Sequence, residues 1–291
     1  MTTGPDERTV STWRGDVVAQ RVADHERYER MHAPFGAALM SAAHIEPGHY
    51  VLDVGCGLGG RTLDAAQAAC GDGSALGVDL SGAVLEAAEA RAVDRGLGNV
   101  AFKIADAEVE DLGNGSFDVV LSQFGVMFFS DMVTAFANLR RSLRPGGRLV
   151  FTCWQALPRQ QSLMVPLTAA LEHIPVPEFD ANAWSHAAFS LADPSFIKAT
   201  LLEAGFEGIG IQPVVAPQFQ GSDLSDVLTF LKQSEFAQSV FSKADASEAI
   251  AGWNAIASAV AAYASGEGVF LDAAAWLVTA TRPTTATTWT A

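Results

Sequence analysis

Cationic side chains are scarce in this sequence of 291 residues: 18 Lys and Arg stand against 33 Asp and Glu, a formal net charge of −15. Nucleic-acid phosphates recruit Lys and Arg, so this balance argues against a DNA or RNA partner and favours a small molecule. Cysteine is scarce too. Cys56, Cys70 and Cys153 are an odd number without paired spacing, which argues against a disulfide framework, and no His/Cys cluster has metal-site spacing. No apolar run approaches the ~18 residues of a membrane span. The first residues show no basic stretch followed by an apolar one, so a cytoplasmic protein without a membrane partner is expected. No internal repeat is visible. What is present is core material: 49% hydrophobic and 18% charged residues are enough to fill one large domain or two small ones.

The stretch Val51 to Gly60, Val-Leu-Asp-Val-Gly-Cys-Gly-Leu-Gly-Gly, organises the rest. Val51 to Val54 read as a short buried strand and a helix starts near Arg61. Glycines between strand and helix allow positive φ and let a ligand approach the backbone, while the helix N-terminus offers free N–H groups. Gly55, Gly57 and Gly60 satisfy the dinucleotide pattern G-x-G-x-x-G, and Asp79 lies at the spacing of a ribose ligand. Asp53 opposes that reading. A carboxylate two residues before the first glycine repels a pyrophosphate and suits a ligand with a cationic amino-acid end.

Strands and helices alternate from residue 50 onward, the pattern of a parallel sheet covered on both faces. Strands are expected at 50–54, 75–78, 100–104, 117–121, 148–153, about 206–215 and about 269–281. The last is expected to join the sheet edge antiparallel. Before them, Trp13 to His32 and Phe35 to Ile45 read as two helices interrupted by Pro34. The expected organisation is an N-terminal helical cap over residues 1–45 and one domain over 46–291, with helical insertions at about 155–190 and 220–265. In an open α/β sheet, ligands lie beyond the carboxyl ends of the strands. There the sequence delivers Asp53 with its glycines, Asp79, Asp106 and Ser122-Gln123-Phe124.

Asp53, Gly55, Gly57 and Gly59 together match D-x-G-x-G-x-G, and here the sequence resembles the class I S-adenosylmethionine (SAM)-dependent methyltransferases of small-molecule type. Two further stretches carry the resemblance: Phe117-Asp118-Val119-Val120 followed by Phe124 to Phe129, and Leu143-Arg144-Pro145-Gly146-Gly147-Arg148-Leu149 before the fifth strand. The motif order is similar to that of ubiquinone and menaquinone methylating enzymes. An Asp/Asn-Pro-Pro-Tyr pattern is lacking, which argues against a DNA or protein acceptor. The resemblance implies a Rossmann-like seven-stranded, mostly parallel sheet with an antiparallel last strand, and SAM as cofactor. It implies that Asp53 and the glycines border the methionine moiety, that Asp79 accepts from the ribose hydroxyls and that Leu80 packs on adenine. It implies that Asp106 and the Ala107 N–H meet the adenine edge, and that Ser122 and Gln123 lie near the sulfonium.

Candidates for a general base are His32 and Tyr28, at i and i+4 on the N-terminal helix, and His186 in the insertion. Trp13, Phe124, Phe128, Trp154, Trp184 and Phe189 are candidate walls for an apolar or aromatic acceptor of secondary-metabolite or quinone-like type. The apolar N-terminal helices either cap their own site or pack on a second subunit, the latter giving a homo-oligomer. Two other readings stay open: an NAD(P)-dependent oxidoreductase, and a non-catalytic SAM-binding or cyclising protein on the same fold.

Overall fold

The computed structural model describes residues 19, 22–176 and 187–284. Trp13, Trp184 and His186 lie outside the described residues. Helix α1 spans His25–Ala43 and runs through Pro34 without a break. A proline inside a helix costs about 3 kcal/mol. Phe35 and Leu39, both fully buried, each return roughly 1.5–3 kcal/mol, and Met31 and Ala43 add to that. Burial therefore outweighs the break that Pro34 suggests in the sequence. The helix ends at His44, which is left-handed at φ 44°, where Arg148 donates to the carbonyls of Ala43 at 3.2 Å and His44 at 2.7 Å.

The Rossmann-type α/β core follows as β1 (Tyr50–Val54), α2 (Gly60–Ala69), β2 (Ser74–Asp79), α3 (Gly82–Asp94), β3 (Val100–Ile104), β4 (Phe117–Gln123), α4 (Met132–Ser142) and β5 (Leu143–Trp154). Then come α5 (Gln161–Leu171), α6 (Pro194–Glu203), β6 (Glu207–Gly221), α7 (Leu224–Gln233), α8 (Glu235–Val240), α9 (Ala246–Ala261), the two-residue β7 (Ala264–Ser265) and β8 (Gly268–Thr281). The sheet order is β3-β2-β1-β4-β5-β8-β6, with β7 paired to β8. Neighbours from β3 to β5 are parallel, and β8 is antiparallel to both β5 and β6.

The antiparallel strand is therefore internal, where the sequence suggests the edge. Composition explains the order. Ala273, Ala274, Ala275, Val278 and Ala280 of β8 are all nearly inaccessible, as an interior strand requires. Strand β6 carries Pro213 and Pro217, which lack a donor and are tolerated at an edge.

One core cluster joins Leu52, Val120, Phe136, Leu149 and Phe151, and another joins Leu39, Ala43, Val51, Val119 and Val150. Strand β1 contributes to both, as expected of a central strand. Trp154 at the end of β5 is paired with Ala275, which also pairs with Val214. Residues 215–221 and 268–274 thus continue past the carboxyl rim of the parallel strands as a two-stranded ribbon. A third cluster forms on the helices beside it, from Ala170, Val227, Leu231, Val240, Ile256, Val260 and Val269.

Because Leu39 lies in a cluster shared with four strands, the second half of α1 belongs to the folded core. Leu39→Ala is expected to lower unfolding free energy by about 2–5 kcal/mol, measured by urea denaturation. A loss near zero would show that the helix detaches without consequence.

Candidate functional site

The turn after β1 is left-handed at three of its glycines, with φ of 65° at Gly55, 51° at Gly57 and 75° at Gly59. Their roles differ. Gly55 N–H and Cys56 N–H both donate to the Val78 carbonyl, at 2.9 and 3.0 Å, and anchor the turn to β2. A methyl group on Gly59 would stand 2.9 Å from Ala88 Cβ and Phe102 Cζ, so that glycine lets the loop pack on α3 and β3. A methyl on Gly57 would meet nothing within 4 Å, so this backbone faces open space. A methyl on Gly55 would stand 2.9 Å from Gly125 Cα, and one on Gly125 would stand 2.7 Å from the Val54 carbonyl oxygen. The ends of β1 and β4 thus touch backbone to backbone. Burial pushes the Cys56 thiol well above its ordinary range, which makes it a packing residue of the loop.

The acids at the strand ends occupy different environments. Asp53 is 1% exposed and faces α2, where the Thr62 hydroxyl donates to it at 2.7 Å. Burial pushes its carboxyl up to about 7, against the opposing pull of the Thr62 bond and the Arg61 charge. Asp53 therefore lies behind the loop, toward α2. Asp79 is half-buried and accepts from Gly57 N–H at 2.9 Å and Ser81 N–H at 3.0 Å, with half-buried Leu80 between. Asp106 is half-buried, accepts from Glu108 N–H at 3.0 Å, and is raised from its ordinary value chiefly by burial.

The loop carrying Asp106 and Ala107 is braced by side chains the sequence reading did not single out. Asn138 of α4 donates to the Ala107 carbonyl at 2.9 Å and the Glu110 carbonyl at 2.7 Å. Glu108 accepts from the Ser130 hydroxyl at 2.6 Å and from the N–H groups of Ser130 and Asp131. A polar residue on the buried face of an amphipathic helix was the available signal for Asn138.

Near the end of β4, Ser122 is held by backbone groups. It is fully buried, its hydroxyl donates to the Val54 carbonyl at 2.7 Å, and it accepts from Gly125 N–H at 3.2 Å. It cross-links β1 and β4, as a buried hydroxyl satisfies itself on nearby backbone. Gln123 instead reaches the His32 carbonyl of α1 at 3.0 Å.

Phe124 is left-handed at φ 63°, a conformation that bulky residues rarely adopt. It brings the ring onto Trp154, stacked at 3.9 Å and 15°. His32 lies 5.3 Å from Phe124 and 5.9 Å from Trp154, and Tyr28 lies 6.3 Å from His32. Four of the predicted residues thus assemble beside the glycine loop. Phe128 packs against the core in a 3-10 turn, and half-buried Phe189 sits in the turn leading to α6.

The N-terminal half of α1 is held on two sides. Glu29 pairs with Arg91, which also donates to the Leu58 carbonyl of the glycine loop at 2.5 Å. Arg27 pairs with Asp226 and donates to the Gln220 carbonyl, while Arg30 lies 3.6 Å over the Phe219 ring. A separate cavity of about 420 Å³ lies toward the amino end of the sheet between Ala42, His44, Arg148 and Thr281, and none of the strand-end acids lines it. Among the described residues, no helix is long and apolar enough to cross a membrane.

Residues 51–147 match a family model described as a methyltransferase domain. The chain is 34% identical over 149 residues to the aklanonic acid methyltransferase DauC of Streptomyces sp. (strain C5), covering 49% of this chain and 67% of that protein. It is 30% identical over 173 residues to the ubiquinone/menaquinone biosynthesis C-methyltransferase UbiE of Ectopseudomonas mendocina, covering 57% of this chain and 68% of that one. Other curated relatives are matched over less than half their length. Among solved structures, phosphoethanolamine N-methyltransferase 2 of Haemonchus contortus, in complex with phosphomonomethylethanolamine and S-adenosylhomocysteine, shares the fold. Its TM-score is 0.58 at 18% identity, over 94% of this chain and 59% of that one.

The chain belongs to the class I SAM-dependent methyltransferases. SAM is accordingly the cofactor, and the nicotinamide reading falls. The residues present fit it: open left-handed backbone at Gly57, half-buried acids at two strand ends, and a buried carboxyl behind the loop.

Asp53 binds its proton near pH 7 in the folded chain and near 3.8 ordinarily. Between those values the native state holds the extra proton, so the carboxyl makes stability fall as pH rises from about 4 to about 7. The gap is worth on the order of 4 kcal/mol. Asp53→Asn removes it. In denaturant unfolding, the variant should gain on the parent across that window by about this amount; parallel curves would refute the assignment.

Proposed function

We propose that this chain transfers the methyl group of SAM to a small, apolar or aromatic acceptor held under α1, the cap helix. The observation that carries the reading is the aromatic group of Phe124, Trp154, His32 and Tyr28 beside the glycine loop. Flat apolar walls with a few polar groups are what a small aromatic ligand requires. The names of two relatives, an aklanonic acid and a ubiquinone/menaquinone methyltransferase, agree with an acceptor of secondary-metabolite or quinone-like kind.

In this reading Gly55, Gly57 and Gly59 give the cofactor a backbone it can approach. Asp79 accepts from the ribose hydroxyls, since each carboxylate oxygen carries two lone pairs and can bond beyond its backbone contacts. Leu80 packs on the adenine. Asp106 accepts from the adenine amino group, with the Ala107 N–H beside it. Gln123 fixes α1 over the site, so that α1 closes the reaction from water.

The bound cofactor supplies a methyl group on a sulfonium, which departs as a neutral thioether. The protein's contribution is alignment: holding acceptor and donor in line at about 3–3.5 Å gives most of the rate. His32 takes the proton from an acceptor hydroxyl, enol or amine as the new bond forms. Its ring is oriented by Phe124 and Trp154 and its backbone is pinned by Gln123.

Each of Asp79→Ala and Asp106→Ala should weaken SAM binding by about tenfold or more, read by calorimetry, because charge-assisted hydrogen bonds are worth about 1.5–3 kcal/mol. Parental affinity in both would overturn the site. With an accepted quinol or phenol and labelled SAM, His32→Ala should lower kcat by about 100-fold or more while SAM affinity holds. An unchanged kcat would remove His32 as the base.

A further inference from the structure

A carboxylate on the amino-acid end of SAM needs a cation, and this acidic chain has few. Arg61, the second residue of α2, follows the glycine loop directly. Its Nη2 pairs with Asp64 at 2.9 Å, and its buried Nε has no hydrogen-bond partner among the described residues. A buried, unpaired guanidinium N–H is costly and calls for an acceptor. The head group lies against Gly36 of α1: a methyl there would collide with Nη1 and stand 3.2 Å from Gln123 Nε2. Arg61 therefore occupies the junction of cap helix, glycine loop and the end of β4, on the side where Asp53 lies. Its charge is felt at Asp53, whose carboxyl it draws down.

We propose that Arg61 binds the carboxylate of the cofactor's amino-acid end, and that Gly36 is the position in α1 that leaves room for the guanidinium. The proposal rests on the SAM reading above and assigns one contact within it. Asp53, behind the loop, complements the ammonium of the same end, so an anion and a cation serve a zwitterion.

The test uses S-adenosylhomocysteine and 5′-methylthioadenosine, which share adenosine and a thioether but differ in the amino-acid end. Calorimetry on the full chain should show the parent preferring S-adenosylhomocysteine. Arg61→Gln should weaken S-adenosylhomocysteine by about 10- to 100-fold, the range of a charge-assisted pair, and leave 5′-methylthioadenosine within about twofold. Gly36→Ala, which displaces the guanidinium without removing its charge, should show the same selective loss. Unchanged binding of both compounds by Arg61→Gln, or equal weakening of both, overturns the proposal. Failure of the parent to bind either compound removes the SAM reading itself, and this assignment with it.

Discussion

Gly55 and Gly125 meet where β1 and β4 end, and neither tolerates a side chain there. This backbone contact sets the distance between the two halves of the proposed site. On one side the chain turns into the glycine loop; on the other it turns into Phe124 and the aromatic wall. The Ser122 hydroxyl, shared between the Val54 carbonyl and the Gly125 N–H, locks the same junction from beneath. A methyl donor and its acceptor must be aligned to within a fraction of an ångström. Fixing the two strand ends directly on each other, with no side chain between, is a rigid way to achieve that.

The acids around this junction divide the work by burial. Asp79 and Asp106, half-buried, remain able to meet a ligand and are positioned by backbone N–H groups. Asp53, enclosed, has lost its water and holds a proton to near neutrality. Its ionisation is thereby coupled to whatever charge arrives in front of the loop, which an exposed aspartate would not sense. Helix α1 adds a mechanical coupling: through Glu29 and Arg91 it reaches the Leu58 carbonyl, and through Arg27 it reaches Asp226 on the far side of the site.

What was legible in the sequence was local. The glycine spacing, the acids closing three strands and the strand–helix alternation are short-range patterns, and each maps onto its element. Partners 20 or more residues apart were not legible. Asn138 bracing Ala107, Glu29 meeting Arg91 and Glu108 meeting Ser130 depend on topology, which periodicity does not report. The interior position of β8 was missed because an alanine-rich strand reads alike in the middle of a sheet or at its side; the prolines of β6, which exclude it from the interior, held the information. Pro34 misled for a related reason. It signals a break locally, and the burial of Phe35 and Leu39 decides otherwise. The Ser122 bond to the Val54 carbonyl is likewise a contact that topology decides.

The ribbon formed by residues 215–221 and 268–274 carries the third hydrophobic cluster away from the parallel strands. The methyltransferase-domain match ends at residue 147, before any of that superstructure begins. The ribbon therefore gives the helices at 161–171 and 224–261 a hydrophobic centre of their own, outside the matched segment.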